Sequence, residues 1–219
     1  MRNQPCAYCG DKCSSNPRTK GHVLQKSLFP KSGFEKVQRI TVPECISCKA
    51  IWEDSEDEFR SFIALAAADV SSFAEQQWDG PISRAHNRKE DGAQRMQGIL
   101  SRIIEKQTSN GVEPRLMPHL SEKVNLTVRK MVRGLCHHHG LATNVQDHQV
   151  LTGMHPNEPV SRSKRVVFDY LPGVFRYQYY ALHRNNQSVH VHWLLTFYDH
   201  VSFLGMVSTK RNLDWEEAR

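Results

Sequence analysis

Apolar positions divide the chain into a helical middle and a strand-rich end. Residues 59–78, FRSFIALAAADVSSFAEQQW, are rich in alanine and other apolar residues, and residues 96–107, MQGILSRIIEKQ, carry spaced apolar positions. Both patterns are typical of helices. The polar segment between them contains Gly and Pro, which interrupt regular structure. The sequence therefore predicts a helical region over residues 61–140.

The clearest helix signal lies at residues 121–139. Four apolar residues recur there at intervals of four, three and four positions: Val124, Val128, Met131 and Leu135. This spacing places them on one face of a helix. Ser121 is suited to capping its start and Gly140 to ending it. We expect an amphipathic helix whose apolar stripe packs on the rest of the protein.

From Arg165 onward the pattern changes to that of β-strands. Four segments are rich in β-branched and aromatic residues: VVFDYL, VFRYQYYAL, SVHVHWLLTFY and VSFLGMVS. Pro172-Gly173 and residues 184–187 are turn signals between them. We predict an antiparallel sheet of three or four strands, preceded by an irregular connector over residues 141–163.

The composition is that of a soluble globular protein, with 219 residues, 39% of them hydrophobic and 24% charged. No apolar run reaches the roughly 18 residues of a membrane span. The opening segment, MRNQPCAYCG, lacks the apolar stretch of a secretory signal. We therefore expect a cytoplasmic protein with no membrane partner, in which thiols stay reduced and six cysteines favour metal binding over disulfides.

Two Cys-x-x-Cys pairs, Cys6 with Cys9 and Cys45 with Cys48, have the spacing of zinc ligands. Each pair suits a tight knuckle turn that presents two thiolates to one tetrahedral ion, and Gly10 suits the positive φ of such a turn. The 35 residues between the pairs exceed the roughly 15–20 of common zinc ribbons, so a folded element must lie inside. We predict one structural Zn²⁺ bound by all four cysteines.

The other metal-ligand types fit a shared site less well. Cys13 and Cys136 have no partner at metal-ligand spacing, and we interpret both as ordinary thiols. Cys13 is close enough to the first pair to compete with it as a ligand. Residues 137–139 are three consecutive histidines, which point about 100° apart on a helix, so we expect them to pack and cap instead of sharing an ion.

A basic excess favours a polyanionic partner. Lys and Arg number 29 and Asp and Glu number 23, which gives a net charge of +6. Nucleic acid attracts such proteins through counterion release. Arg129, Lys130 and Arg133 lie away from the apolar stripe of the predicted helix and are candidate phosphate contacts. A solvated helix face is the equally acceptable interpretation of the same residues.

Between and after the cysteine pairs, the chain resembles the HNH endonucleases, the ββα-metal family, in the form with a four-cysteine zinc knuckle. The resemblance covers residues 5–60 and rests on the order of these features: CAYCG, an isolated His22-Val23, KSLFP, ITVPEC, ISC and the acidic segment WEDSEDEFR. A weaker similarity lies in KMVRGLCHHHG, PGVFRYQYY and HWLLTFYDH.

The resemblance implies a mechanism and a set of residues. His22 would be the general base that activates water against a phosphodiester, in DNA rather than RNA. Gln38 would stand near the middle Asn of the family motif. One divalent ion, Mg²⁺ or Mn²⁺, would polarise the phosphate and stabilise the leaving oxygen. The zinc would hold the hairpin to the helix without taking part in the chemistry.

Two positions depart from the family pattern. The acid that usually precedes the histidine is Gly21, and the Asn that usually follows the last cysteine is Lys49, which is suited to contact a phosphate or simply to be exposed. In one explanation the metal ligands have moved to the following helix. Its candidates are Glu53, Glu56 and Asp57, with Glu56 preferred. In the other explanation, the metal site has decayed and the fold survives as a binding module.

The sequence as a whole predicts an α+β protein with three regions. These are a zinc-stapled ββα-metal module over 1–60, a helical region over 61–140 and an antiparallel β region over 141–219. The preferred function is a metal-dependent HNH-type endonuclease. The alternative is a catalytically impaired module that binds nucleic acid or a partner protein. A third possibility consistent with the family is an effector subunit in phage defence, whose nuclease needs another protein.

Overall fold

The computed structural model describes residues 4–11, 18–29, 38–88, 92–101, 103–108, 111–116, 120–155, 166–184 and 188–209. These residues form an α+β fold, as the sequence predicts. Cys13 and the chain after residue 209 lie outside the described residues. None of the described helices combines the length and the apolar character needed to span a membrane.

The first two strands form a β-hairpin that leads directly into a helix. β1 (Arg18–His22) pairs antiparallel with β2 (Thr41–Cys45), and α1 (Ile46–Ala67) follows without a loop. Arg18 lies opposite Cys45 and His22 lies opposite Thr41. The hairpin therefore has the second cysteine pair at one end and His22 at the other.

The middle region is less helical than its composition predicts. It contains α2 (Ser72–Gln77), a π-helical turn (Trp78–Ile82), α3 (Ser83–Arg88) and α4 (Gly92–Leu100). It then forms a second antiparallel hairpin of β3 (Ile103–Thr108) and β4 (Gly111–Leu116). The prediction of a helix through residue 107 was therefore wrong, because the β-branched pair at 103–104 starts a strand.

The amphipathic helix of the sequence is confirmed as α5 (Glu122–His138). The Ser121 hydroxyl accepts a hydrogen bond from the Val124 backbone N–H at 3.2 Å and caps the first turn. The four apolar residues of its stripe are all buried: Val124, Val128, Met131 and Leu135. Gly140, with a φ of 64°, follows the end of the helix.

The C-terminal region is a five-stranded antiparallel sheet. Its strands are β5 (Val150–His155), β6 (Val166–Leu171), β7 (Phe175–Arg184), β8 (Ser188–Phe197) and β9 (Val201–Ser208). They are ordered β5-β9-β8-β7-β6. The sheet was predicted with three or four strands. The additional one is β5, which lies in the segment predicted to be an irregular connector.

One continuous core joins the three predicted regions. Most of the buried hydrophobic residues form a single cluster that extends from Cys6 to Val207, in which α1 and α5 pack together and against the sheet. Phe59 of α1 lies with its ring centroid 5.1 Å from that of Phe197 and 5.6 Å from that of Phe203. The predicted boundary at residue 60 therefore falls inside α1, and buried residues on both sides of it belong to the same core cluster.

Candidate metal centre and adjoining histidine site

The four cysteines of the two Cys-x-x-Cys pairs meet at one point. The Sγ atoms of Cys6, Cys9, Cys45 and Cys48 all lie within 4.8 Å of one another, and those of Cys9 and Cys45 are 3.9 Å apart. A Zn–S bond of about 2.3 Å places tetrahedral sulfurs about 3.8 Å apart. The cluster therefore has the spacing and the ligand type to hold a metal ion such as zinc.

Backbone hydrogen bonds shape the first knuckle turn. The Gly10 N–H donates to the Cys6 carbonyl at 2.9 Å, and the Cys6 N–H donates to the Asp11 carbonyl at 3.1 Å. Gly10 has a φ of 73°, a left-handed conformation that glycine adopts without a steric penalty. The Ala7 N–H donates to the Pro43 carbonyl of β2 at 2.8 Å, which fastens the turn to the hairpin.

The second knuckle coincides with the start of α1. Cys45 is the N-cap residue, and its Sγ accepts a hydrogen bond from the Cys48 N–H at 3.4 Å. Burial alone would raise the pKa of Cys45. Its hydrogen bonds with the backbone and side chain of Cys48 and with Cys9 and Cys6 outweigh burial and lower it. The hydrogen bonds at the positive end of the helix thus favour the thiolate form of Cys45, which is the form that binds metal.

Arg133 connects α5 to the first knuckle. Its guanidinium donates to the backbone carbonyl of Tyr8 at 2.5 Å and to that of Val145 at 2.7 Å. It also lies over the rings of Tyr8 and Trp52. Arg133 is only 6% exposed. The prediction that it binds nucleic acid is corrected, because its donors are used inside the protein.

Lys130 is buried between two carboxylates. Its Nζ lies 2.5 Å from Glu56 Oε1 and 3.9 Å from Glu44 Oε1. The indole N–H of Trp52 donates to the same Glu44 oxygen at 2.9 Å. Lys130 is 4% exposed. It cannot contact a phosphate at the surface, so its assignment as a nucleic-acid contact is also corrected.

The other two predicted nucleic-acid contacts differ in exposure. Arg129 forms ion pairs with Glu122 at 2.5 Å and with Asp147 at 2.9 Å. Burial would lower its pKa, but these two partners raise it. Lys49 is exposed on the first turns of α1, with Glu53 as an i,i+4 partner at 4.0 Å. Among the four predicted nucleic-acid contacts, Lys49 is therefore the residue whose charged group is exposed enough to bind an external anion.

His22 lies in a basic environment at the end of β1. Burial lowers the pKa of its imidazole, and the positive charges of four residues lower it further: Arg39, Lys26, Lys130 and Lys49. At neutral pH the ring is therefore neutral and able to accept a proton. Lys26 and Arg39 were not predicted as part of this site, although both lie within the segment between the cysteine pairs, and Lys26 begins the KSLFP motif.

The loop after β1 is attached to α1 beside this histidine. The Gln25 side-chain amide donates to the Glu56 backbone carbonyl at 2.6 Å, and the Arg39 guanidinium lies over the ring of Phe29. Gln38 is exposed just before β2. The hydrogen bond from Gln25 thus holds the loop after β1 against the middle of α1.

The acids predicted to bind a catalytic ion have other partners. Glu56 pairs with Lys130, Glu53 with Lys49 and Asp57 with Arg60, the last at 3.8 Å. Across the described ranges, the four cysteines form the one group of three or more His, Cys, Asp or Glu side chains close enough to share an ion. The structure therefore does not assemble a three-ligand site from His22 and these acids.

Comparisons with known proteins give no independent assignment. No protein-family profile, curated protein or solved structure matches the chain.

Proposed function

We propose that the protein is a zinc-stabilised endonuclease of HNH type that hydrolyses phosphodiester bonds in DNA, with His22 as the general base. The observation that carries the proposal is the cysteine cluster that joins a β-hairpin to the helix after it, with His22 on the same hairpin. Residues 5–60 carry the sequence features that resemble the family, and in the structure the same segment contains the hairpin and the start of the helix that follows it.

The zinc would have a structural role in this protein. Four cysteine ligands fill a tetrahedral coordination sphere and leave no position for substrate or water. His22 is four residues along β1 from Arg18, which pairs with Cys45, so the strand rise separates the two backbone positions by about 13 Å. The metal would fix the hairpin against α1 and would not touch the reacting atoms.

The residues around His22 support hydrolysis as follows. The neutral imidazole accepts a proton from water as the water oxygen forms a bond to phosphorus. The bond between phosphorus and the leaving oxygen breaks, and that oxygen takes a proton from solvent. Lys26, Arg39 and Lys49 are the cations suited to hold the phosphate near the imidazole and to offset its developing charge.

The carboxylates of this chain are not arranged to bind the divalent ion that the family resemblance implies. Glu56 is already paired with the Lys130 ammonium, Gly21 offers no carboxylate, and Glu44 is buried against Trp52. We therefore derive no catalytic step through Mg²⁺ or Mn²⁺.

The same pairing favours the second candidate function. A module that has lost its catalytic ion would still offer a basic surface at Lys26, Arg39 and Lys49 to nucleic acid or to an acidic partner protein. It would bind without cleaving.

A plasmid-nicking assay separates the two functions. We expect wild type to convert supercoiled DNA to the nicked form, and His22→Ala to lower the rate by about 100-fold, the usual contribution of a general base. His192→Ala, an exposed histidine of β8, is the matched control and should retain full activity. Salt-dependent DNA binding without nicking would favour the binding module. Nicking that survives His22→Ala would contradict the assignment of the base.

A further inference from the structure

Lys130 lies where three structural elements meet beneath the N-terminal hairpin. It reaches from α5 to Glu56 on α1 and to Glu44 on β2. Lys130 and Glu44 are 4% and 2% exposed, so this contact is almost completely removed from water. The Lys130 ammonium is also 5.9 Å from the ring centroid of Trp52 and 6.0 Å from that of Tyr8. Two carboxylates and two aromatic rings thus surround one cation.

The same contact accounts for glycine at position 21. A Cβ added to Gly21 would lie 2.6 Å from both Cβ and Oε2 of Glu44. Glu44 belongs to the neighbouring strand and fills the space that a side chain at position 21 would occupy. A carboxylate is therefore present beside this part of β1, but it comes from β2 and has Lys130 as its partner.

We propose that the Lys130 ammonium permanently occupies the cation position between Glu44 and Glu56, and that the His22 site works without a divalent metal ion. The first half stands on these contacts alone, and the second half rests on the proposed endonuclease function. Lys130 does not touch the substrate. It is a positioning residue that holds α1 and β2 together and adds positive charge near His22.

The charge distribution favours a tethered ammonium over a free ion. To bind between Glu44 and Glu56, a divalent ion would have to displace a lysine that is covalently attached to α5. Breaking a buried ion pair by removing one partner is strongly destabilising, because the remaining charge is left buried and unpaired. The ion would also approach through the field of Lys26, Arg39 and Lys49, which repels cations and attracts phosphate.

Titration of the zinc-loaded full chain with Mn²⁺, monitored by electron paramagnetic resonance, tests directly which cation lies between Glu44 and Glu56. We expect wild type to bind no Mn²⁺ between these carboxylates. Lys130→Ala frees both and should gain one bound Mn²⁺, which the added change Glu56→Gln removes. Lys123→Ala, which removes an exposed lysine of the same helix paired with Asp54, should gain none. Wild type that binds one Mn²⁺ and loses it in Glu56→Gln would overturn the inference, whether or not Lys130→Ala folds.

A cleavage assay tests the second half of the inference. In metal-stripped buffer, with retained zinc checked by elemental analysis, wild type should nick plasmid within about twofold of its rate in millimolar Mg²⁺. Stimulation by Mg²⁺ of about tenfold or more, abolished by Glu56→Gln, would overturn metal independence and leave the endonuclease function standing. Absence of nicking under both conditions would refute the endonuclease and metal-independent catalysis together, while the Mn²⁺ titration would still decide what occupies the site.

Discussion

Lys130 and Arg133 lie nearly one turn apart on α5, and each buries its charge by a different means. Lys130 is neutralised by the carboxylates of Glu56 and Glu44. Arg133 uses main-chain carbonyls, with Asp147 at 3.5 Å as its acidic partner. A buried charge is tolerated only when it is paired and hydrogen-bonded, and both residues meet that condition. They connect α5 to the N-terminal segment through polar contacts inside an otherwise apolar core.

The lowered pKa of His22 predicts how cleavage depends on pH. The base must be neutral, so activity should persist as pH falls through the usual histidine pKa of 6.5 and decline below the lowered value. Arg39→Gln removes the charge that, after burial, contributes most to this shift. It should move the acidic limb of the rate profile to higher pH. Lys26, Lys130 and Lys49 would still act on the imidazole.

The measurement is the pH–rate profile of plasmid nicking, with the His22 pKa followed by NMR. Arg176→Gln, an exposed arginine of β7, should leave the profile unchanged. An acidic limb that stays at the same pH in Arg39→Gln would contradict the role of this charge. The free energy of unfolding depends on pH in the same direction. Because the folded-state pKa of His22 lies below the unfolded value of 6.5, its contribution to stability is complete above pH 6.5 and is lost as pH falls through the folded-state pKa.

At the scale of elements, the packing of α5 on the sheet depends on a close approach at Gly205 of β9. A Cβ added there would lie 2.4 Å from Val132 Cγ2. We expect Gly205→Ala to lower the free energy of unfolding by about 1–3 kcal/mol, as overpacked cores do. Urea denaturation measures the change.

Gly153 of β5 provides a matched control. It pairs with Leu204 in the same sheet, and an added Cβ would meet nothing within 4 Å. Gly153→Ala should leave stability unchanged or raise it slightly, because alanine restricts the unfolded chain. Equal destabilisation by both substitutions would show that the approach of Val132 is not the cause.

Elements were predictable from sequence where the signal is local. α5 has both a helical period and a cap, and the two cysteine pairs have a fixed spacing. The β3–β4 hairpin was missed because the apolar residues of MQGILSRIIEKQ fit either element, although Asn110-Gly111 is a common hairpin dipeptide. Lys130 was predicted to contact phosphate or to lie on a solvated face because Glu56, its partner, is 74 residues away in the chain. Helical periodicity carries no information about such a contact.

For the molecule as a whole, the continuous core predicts that loss of the metal affects the C-terminal sheet as well as the N-terminal segment. With residues 1–60 as a separate module, Cys45→Ser would unfold them and leave the sheet intact. In the structure α1 starts at the cysteine cluster and packs its far end on β8 and β9. Structural zinc contributes on the order of 10 kcal/mol in small zinc modules. We now expect Cys45→Ser to destabilise the sheet together with the N-terminal segment.

Two measurements check this prediction. Elemental analysis should find about one zinc per wild-type chain, as a single tetrahedral cysteine site requires, and well under one in Cys45→Ser. Hydrogen exchange should show faster exchange of the β8 and β9 amides in Cys45→Ser. Zinc-loaded wild type, measured under the same conditions, is the reference for both measurements. Unchanged protection of β8 and β9 would restore the description of the N-terminal segment as an independent module.

Because Arg133 binds main-chain acceptors, the positions that it contacts should tolerate substitution better than position 133 itself. Its two shortest hydrogen bonds end on the carbonyls of Tyr8 and Val145, and every residue type supplies a carbonyl. Substitutions at those two positions therefore retain the acceptors, whereas a change at 133 removes the donors for both at once. Tolerance to mutation is accordingly unequal along this contact. A lineage of such chains would keep arginine at 133 while the residues that supply its acceptors vary, subject to their own packing.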